Sequence, residues 1–562
     1  MTDFARTLVT AALPYANGPI HLGHLAGVYV PADIFVRFKK IMGDEVLFIC
    51  GSDEHGVPIT LAAEKEGISP KELVDRNYRT MKESFEALGV QFDNYSQTSR
   101  EIHHRTSSEF FLDLHGQGIL KQKSTLQFYS ESAGRFLPDR YVEGTCPYCA
   151  AEGARGDQCE SCGSQMEPDK LIEPHSVVDG ESVGLKESEH WFFPMGEMQE
   201  FLEKWIGSHP EWKENVLNYC RGWFQQGLGD RAVTRDLNWG VPVPLPNHEG
   251  KVLYVWFEAP IGYISATREW AEAKGNAEEW RSWWQDEKTR LIHFIGKDNI
   301  VFHALLFPAM LHANSEAYVL PDNVPANEFL NLEGKKLSTS RGYAVWLPDY
   351  LKSFEPDSLR YCLARNLPES RDTNFTWDDF QARHNNELAD VLGNFINRTL
   401  TFVGRYFDSK VPAEGTLEEK DREALAGIEE VALKVRQQME SFQMRSTAEQ
   451  LLLLSKEANR YFDEAEPWVT RKSDMARCAT SLFVCCQYIR AFAGLWAMIL
   501  PFSMQRLWDA LNLKADLFAS GWVQDDWMLK EAHPLSNPGI LFEKIEDERI
   551  AQEKERLREV AG

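Results

Sequence analysis

The chain has 562 residues, room for several domains at about 150 residues each, so neither disulfides nor metals are needed for bulk stability. Apolar residues make up 43% and charged residues 26%, which excludes a chain disordered throughout. The formal charge of −25 excludes a generally basic surface and leaves only a local basic patch for a nucleic acid.

Thr2 to Asn17 lacks the basic start, apolar stretch and small-residue cleavage site of a secretory signal. The ten Cys follow no secreted-scaffold spacing, so a cytoplasmic protein is expected. Residues 7–13 read as a buried strand and Pro14 to Pro19 as a turn-rich loop. A helix is predicted from His21 to about Ile41. A second strand, Val46 to Cys50, is closed by Gly51 to Gly56, and helical sequence follows. Strands alternating with helices predict a parallel α/β sheet.

From about 120 to 230 the alternation breaks into short β-like pieces, turns and four clustered Cys, as expected of an insertion. Strands resume at Lys251 to Trp256 and at Leu291 to Ile295. The latter ends in Gly296-Lys-Asp-Asn299 with a helix behind it. From about 380 onward the apolar spacing is helical almost to the end, with Pro412–Gly415 and Asn537–Gly539 as punctuation and a charged final helix. Ser481 to Pro501 is apolar enough to raise a membrane span. Gln487 and Arg490 within it favour a buried bundle helix.

Three motifs carry chemistry. In Ile20-His21-Leu22-Gly23-His24 two His share the face of a helix's first turn, and Gly23 lets a bulky ligand approach. A helix N-terminus after a strand favours phosphate. Alone, the motif is weak, because two surface His are common. Lys335-Lys336-Leu337-Ser338-Thr339-Ser340-Arg341-Gly342 is a basic, hydroxyl-rich loop suited to phosphates. A solvated basic loop is its plainer reading. Cys146-Pro-Tyr-Cys149 and Cys159-Glu-Ser-Cys162 form a double CxxC. This spacing can close a tetrahedral zinc site, and four protein ligands make it structural. The other six Cys (50, 220, 362, 478, 485 and 486) read as core thiols.

The first two motifs, about 310 residues apart, resemble the two hallmark motifs of class I aminoacyl-tRNA synthetases. The second family motif is Lys-Met-Ser-Lys-Ser, so Lys336, Ser338 and Ser340 match while Thr339 replaces a lysine. Together with the double CxxC, the segments around Ala11–His21, Phe136–Arg140, Gly144–Pro147, Tyr254–Tyr263, His293–Asp298 and Asp357–Tyr361 resemble methionyl-tRNA synthetases, in colinear order over residues 6 to 500.

The resemblance implies a Rossmann-type α/β catalytic domain split by a zinc-knuckle insertion and followed by an all-α anticodon-binding bundle. The expected divisions are 1–119, 120–232, 233–325, 326–385, 386–540 and 541–562. The implied reaction activates L-methionine with ATP to the adenylate plus pyrophosphate. Methionine then passes to the terminal adenosine of tRNA(Met), initiator tRNA included. By family likeness the catalytic set is His21, His24 and Lys336, and ATP is held by these with Gly23, Gly296, Asp298, Ser338 and Thr339.

Methionine is held, on the same likeness, by Ala12, Leu13, Tyr15, Asp53, Trp256, Ala259, Pro260, Tyr263, His303 and Phe307, with Asp53 on the α-ammonium. Arg235 matches a position near the catalytic centre. Asn394, Arg398 and Trp468 match the anticodon surface, and Cys146, Cys149, Cys159 and Cys162 the zinc site. Magnesium would accompany ATP. The insertion is shorter than hydrolytic editing domains. No C-terminal OB-like dimerisation domain is seen, so a monomer without membrane contact is expected.

Rival readings at this stage are another class I synthetase, a smaller nucleotidyltransferase sharing His-x-Gly-His, and a catalytically dead RNA-binding relative. A cysteine enzyme would need an open zinc position, and the small nucleotidyltransferase would lack the helical half. The dead relative is opposed by intact His21, His24 and Lys336.

Overall fold

Five strands build a parallel sheet: β1 Arg6–Ala11, β2 Glu45–Ser52, β3 Asn94–Gln97, β4 Thr289–Gly296 and β5 Pro321–Asn323. The computed structural model describes residues 4–155, 159, 161–162, 170–338, 342–524 and 526–561. The sheet order is β5-β4-β1-β2-β3, and Ala326–Asn327 continues beside β4. Leu8 lies opposite Leu47 on one side and Leu291 on the other, all buried. Strands covered on both faces read as unbroken apolar runs, which is why β1, β2 and β4 were legible. The order reverses at β1, so a crevice opens at the strand ends between β1 and β4, where ligands of such sheets sit.

The helix after β1 spans 22–41, with a π-helical stretch at Leu25–Tyr29. Its cause is Pro31, which has no N–H to offer the Gly27 carbonyl. The Asn327 amide donates to that freed carbonyl instead, at 3.0 Å. The same device recurs at Val301–Leu306, ahead of Pro308.

The insertion is a long antiparallel hairpin, Lys121–Ser130 against Gly184–Phe193, carrying a small three-stranded unit built on Val142–Thr145. Its apolar cluster, which includes Phe128, Tyr141, Val142, Cys146 and Leu171, is separate from the main core. All six remaining Cys are buried, as expected of core thiols.

Two sequence expectations need correction. Lys251 to Trp256 is not one strand. Val252–Leu253 pairs with the two residues Thr234–Arg235 outside the parallel sheet, and Tyr254 is the last extended residue. Tyr254 still donates its N–H to the Val233 carbonyl, but the partner segment beyond it, Arg231–Ala232, is paired with Phe192–Phe193, and the chain enters a helical turn, Val255–Glu258. The C-terminal part is also not helical throughout. After Leu517–Ser520, residues 521–546 hold no helix among those described. This strap holds its irregular, non-helical course because side chains of the bundle serve its backbone: Gln487 both donates to the Leu529 carbonyl (3.1 Å) and accepts from its N–H (2.8 Å). The closing helix Asp547–Ala561 packs back on Trp377–Arg383, with Ile550 and Leu557 buried and Lys554 paired to Asp378 at 2.6 Å.

The apolar helix Met475–Leu495 is long enough to cross a membrane, but from Cys478 onward it lies buried in the bundle. Its Arg490 donates to the Ser520 and Gly521 carbonyls at 3.0 Å each.

The bundle is welded to the sheet. Asp33, on the helix after β1, accepts from Arg37 at 2.7 Å and from Arg360 at 2.6 Å. Arg360 also donates to the carbonyls of Ile499 (2.9 Å) and Met498 (3.1 Å). Nearby, Glu440 accepts from Lys39 at 2.9 Å and Arg290 at 3.0 Å, and the Phe442 ring lies 5.0 Å from Phe35.

Candidate active site and metal knuckle

The loop after β1 and the basic loop meet directly. The Leu22 N–H donates to Val345 and the Leu347 N–H to Ile20, so residues just beyond the basic loop pair with the His motif. A Cβ on Gly23 would stand 2.7 Å from Leu337 Cδ1, so the two loops approach closely here. Lys335 and Lys336 form a short exposed strand beside Leu330–Leu332. The Ser338 N–H donates to Tyr343 at 3.0 Å. Thr339, Ser340 and Arg341 lie outside the described residues.

His21 caps its helix in an extended conformation, and its Nδ1 accepts from the Gly23 N–H at 3.1 Å. His24 Nδ1 accepts from the His21 N–H at 3.3 Å. The rings stack at 3.7 Å. With each Nδ1 accepting, each neutral ring carries its proton on Nε2 and offers an N–H donor. Burial lowers His21 to about 4. Burial, with the His21 ring beside it, puts His24 well below its ordinary value. Both are therefore neutral donors at physiological pH. Gly296 and Asp298 lie across the crevice, at the end of β4.

Beside this crevice an apolar subsite gathers on the ends of the same strands. Asp53 and Tyr15 face each other in a parallel bridge: the Ala16 N–H donates to the Asp53 carbonyl and the Asp53 N–H to Pro14, each at 2.8 Å. The Tyr15 ring meets Trp256 edge-on at 5.9 Å, and Trp256 stacks on Phe302 at 4.1 Å. Tyr263 lies 6.3 Å from Phe307, ring to ring, and its hydroxyl is 2.7 Å from His303 Nε2. His303 Nδ1 faces the Asn299 carbonyl at 3.0 Å, so Nδ1 carries the proton and the Tyr263 hydroxyl donates to Nε2. Leu13 packs where a Cβ on Gly262 would stand, 3.2 Å away. The Ala12 carbonyl accepts from Tyr29, while Ala259 and Pro260 lead into helix Ile261–Ala273. Trp256 thus sits on a helical turn rather than at a strand end. Arg235 lies 3.9 Å over the Tyr254 ring, two residues from Trp256.

Phe302 and His293 escaped the sequence reading. Phe302 follows Gly296-Lys-Asp298 by one helical turn, a spacing that would have flagged it. His293, fully buried on β4, is bonded through Nδ1 to Thr10 at 2.5 Å.

The four knuckle sulfurs lie within 4.8 Å of one another, with Cys146–Cys162 at 3.9 Å and Cys149–Cys159 at 3.7 Å. Four thiolates about 2.3 Å from a tetrahedral ion stand about 3.8 Å apart, so the group fits a metal ion. The Ala150 N–H donates to the Cys146 carbonyl at 3.0 Å in the left-handed turn that brings Cys149 round.

Far from both, Asn394 is exposed at the start of Asn394–Tyr406, one turn before Arg398. Arg398 pairs with Asp463 at 2.8 Å and lies 4.5 Å over Phe462, whose ring is 6.0 Å from the exposed Trp468.

Comparison with known proteins agrees with this geometry. Residues 7–400 match the family described as tRNA synthetases class I (M), and residues 411–561 match the anticodon binding domain of methionyl tRNA ligase. The methionine–tRNA ligase of Bacteroides fragilis strain YCH46 is 49% identical over 558 residues, covering 99% of this chain and 81% of that protein. That of Parabacteroides distasonis is 48% identical, again with 99% of this chain and 81% of the relative covered. Among solved structures, Mycobacterium tuberculosis methionyl-tRNA synthetase in complex with methionyl-adenylate superposes with a TM-score of 0.80 at 27% identity, covering 96% of this chain and 99% of that one. A catalytic match followed by a methionyl anticodon-binding match, with relatives 49% identical over nearly the whole chain, places it in the methionyl-tRNA synthetase family, the class I methionine–tRNA ligases.

Proposed function

We propose that the crevice between β1 and β4 joins methionine to AMP and then to tRNA, and that the residues named above take the following parts. A methionine carboxylate oxygen attacks the α-phosphorus of ATP, and the bond to the pyrophosphate oxygen breaks. The terminal adenosine hydroxyl of tRNA(Met), initiator tRNA included, then attacks the carbonyl carbon and expels AMP. The carboxylate is already ionised, so positioning and charge stabilisation do the work.

His21 and His24 donate Nε2–H to the phosphate oxygens where charge builds. Gly23 leaves room for the nucleotide, Gly296 and Asp298 hold the nucleoside, and Lys336 with Ser338 and Thr339 closes on the leaving pyrophosphate. Magnesium accompanies ATP. Asp53 takes the α-ammonium. Ala12, Leu13, Tyr15, Trp256, Ala259, Pro260, Tyr263, His303 and Phe307 line the thioether subsite, where aromatic rings suit a polarisable sulfur. Asn394, Arg398 and Trp468 read the anticodon by hydrogen bonds and stacking. We also propose the six-part division at the boundaries given above and a cytoplasmic setting.

One observation carries this reading: the backbone pairing of Ile20–Leu22 with Val345–Leu347, which brings the two loops read as phosphate-handling together on one crevice beside an aromatic pocket. Its test is amino-acid-dependent ATP–pyrophosphate exchange. Exchange with methionine far above cysteine, leucine and homocysteine is the expected result. No exchange with any amino acid, in folded protein that still binds tRNA, would leave only a tRNA-binding relative.

The same subsite sets a pH dependence. Burial first, and the nearby Glu258 charge second, raise the Asp53 carboxyl well above its ordinary value. An ammonium binds the carboxylate form, so methionine binds tightest above that raised value and progressively less as pH falls through it. The methionine KM will therefore climb on acidification, before ATP binding is affected. Steady-state exchange between pH 5 and pH 8 (roughly the range of ordinary stability) reads this out. A methionine KM flat across the range would argue that Asp53 does not hold the ammonium.

We further propose that the knuckle metal is zinc, held by Cys146, Cys149, Cys159 and Cys162. Elemental analysis should find one zinc per chain, lost in Cys149→Ser. Because the insertion's apolar cluster is separate from the main core, zinc loss should open new protease cuts between residues 130 and 184 and spare the rest. Cuts spread through the main core would overturn that separation.

A further inference from the structure

Beside Asp53 lies a fully buried side chain, within the Tyr254–Tyr263 segment, that has no part in the site described above. Glu258, the last residue of its helical turn, is 0% exposed. Its Oε1 is 2.9 Å from His55 Nδ1 and its Oε2 is 2.6 Å from His103 Nε2. A carboxylate only accepts, so both rings turn an N–H towards it. The two His hold Glu258 below the usual carboxylate range against a burial that alone would raise it. His103 is fixed in turn: its Nδ1 is 3.0 Å from Ser265 Oγ, and Ser107 Oγ lies 3.2 Å from Nε2. The His55 backbone N–H reaches Asp53 Oδ1 at 3.4 Å. An unbroken chain of contacts thus runs from the Asp53 carboxylate through His55 to Glu258 and His103, and on to helix Ile261–Ala273 through Ser265.

An ionised carboxylate in such a place is not there for stability, because apolar packing of the same volume serves a core as well or better. Its position suggests another use. Glu54, between Asp53 and His55, is equally committed: its Oε1 accepts from Ser52 (2.6 Å) and Gln97 (3.0 Å) and its Oε2 from Ser99. Of the three consecutive titratable residues 53–55, Glu54 and His55 are locked through their side chains. Among the described residues only the His55 backbone N–H bonds the Asp53 side chain, so Asp53 keeps its carboxylate oxygens for a ligand.

We propose that Glu258 is a positioning residue for recognition of the amino-acid α-ammonium: clamped by His55 and His103, it fixes the turn that presents Asp53 and adds its own negative charge beside the cation. The proposal rests on the reading of Asp53 as the ammonium ligand. The same three ligand atoms lie within 4.8 Å of one another and would also suit a divalent metal. The hydrogen bonds, which occupy both Glu258 oxygens, favour the proton-linked network.

The test uses the full chain and three readouts: methionine and ATP KM with kcat in pyrophosphate exchange, the Ki of 4-(methylthio)butanoate, which is methionine without its amine, and metal content. Glu258→Gln should raise the methionine KM roughly tenfold, lower kcat less, and leave the ATP KM and the Ki of the amine-free analogue unchanged. Asp53→Asn should raise the methionine KM at least as much. If Asp53→Asn raises it and Glu258→Gln does not, the proposal falls and the Asp53 reading stands. If neither does, the Asp53 reading falls as well. Equal weakening of methionine and its amine-free analogue would make Glu258 a support of pocket shape and overturn the proposal. So would a second metal equivalent that disappears in Glu258→Gln. Should that variant fail to fold, His103→Phe, which removes one of the two N–H donors, is read in the same way.

Discussion

His24→Ala will lower kcat for methionine-dependent pyrophosphate exchange by about 10²–10³-fold while moving the KM values far less. The asymmetry follows from what the imidazole does. His24 Nδ1 is occupied by the His21 N–H, and burial with the neighbouring ring keeps it neutral, so its contribution is a single fixed Nε2–H donor. A neutral donor gains most where negative charge grows during reaction and little from the ground-state triphosphate. His24→Gln, which returns an N–H on a longer, looser chain, should recover part of the rate. There is a pH corollary. If imidazolium were the working form, activity would fall as pH rises through 6–7. With His21 held at about 4, exchange should show no such loss. Some of the deficit in His24→Ala is local, because the ring also completes the cap of its helix, worth about 1 kcal/mol. Thermal unfolding of the variant separates that share. A kcat within twofold of the parent would remove His24 from the reaction.

Why these histidines were legible in the sequence, and Glu258 was not, is a matter of range. Ile20 to His24 is read within one helical turn, and its neutral donors are set by backbone groups two or three residues away. The double CxxC is likewise local. The sheet was legible because strands buried on both faces cannot hide their apolar runs. The Glu258 network needs residues 55, 103 and 258 in one place, and nothing in their separate neighbourhoods marks that meeting. Trp256 shows the opposite failure. Its local pattern reads as strand, but the partner segment before Val233 is already paired with Phe192–Phe193, and residues 255–258 form a helical turn. The 521–546 strap fails for the same reason: its backbone is served by Gln487, Ala510 and Ser409, all supplied by tertiary structure. The pocket residues from Ala12 to Phe307 were named through family likeness, not from spacing. Phe302, one helical turn after Asp298, stacks on Trp256 beside them, a tertiary contact that its local spacing only hints at.

Arg360→Ala should cost about 3–5 kcal/mol, the range expected when one partner of a buried ion pair is removed. Arg360 is fully buried, and one guanidinium serves three clients at once: Asp33 on the catalytic helix and the carbonyls of Met498 and Ile499 at the bundle's core. Removing it leaves two carbonyls without their donor and Asp33 with Arg37 alone. Burial by itself would raise the Asp33 carboxyl, but Arg37 and Arg360 hold it below its ordinary value. A depressed native value means stability that is present above the unfolded carboxylate range and lost as pH falls through the native one, so the parent should lose this contribution in acid and the variant should have less to lose. Arg360→Lys keeps the charge but not the planar fork, and no single ammonium can reach all three clients, so its cost should be intermediate. The functional consequence should be uneven. The crevice proposed to form the adenylate lies on the sheet, whereas Asn394, Arg398 and Trp468 lie on the bundle, and Arg360 joins the two. Below its melting temperature, Arg360→Ala should therefore retain more pyrophosphate exchange than tRNA charging. Equal losses in both would mean that the guanidinium supports the catalytic domain alone and that the bundle is held in place by other contacts, chiefly Glu440 with Lys39 and Arg290.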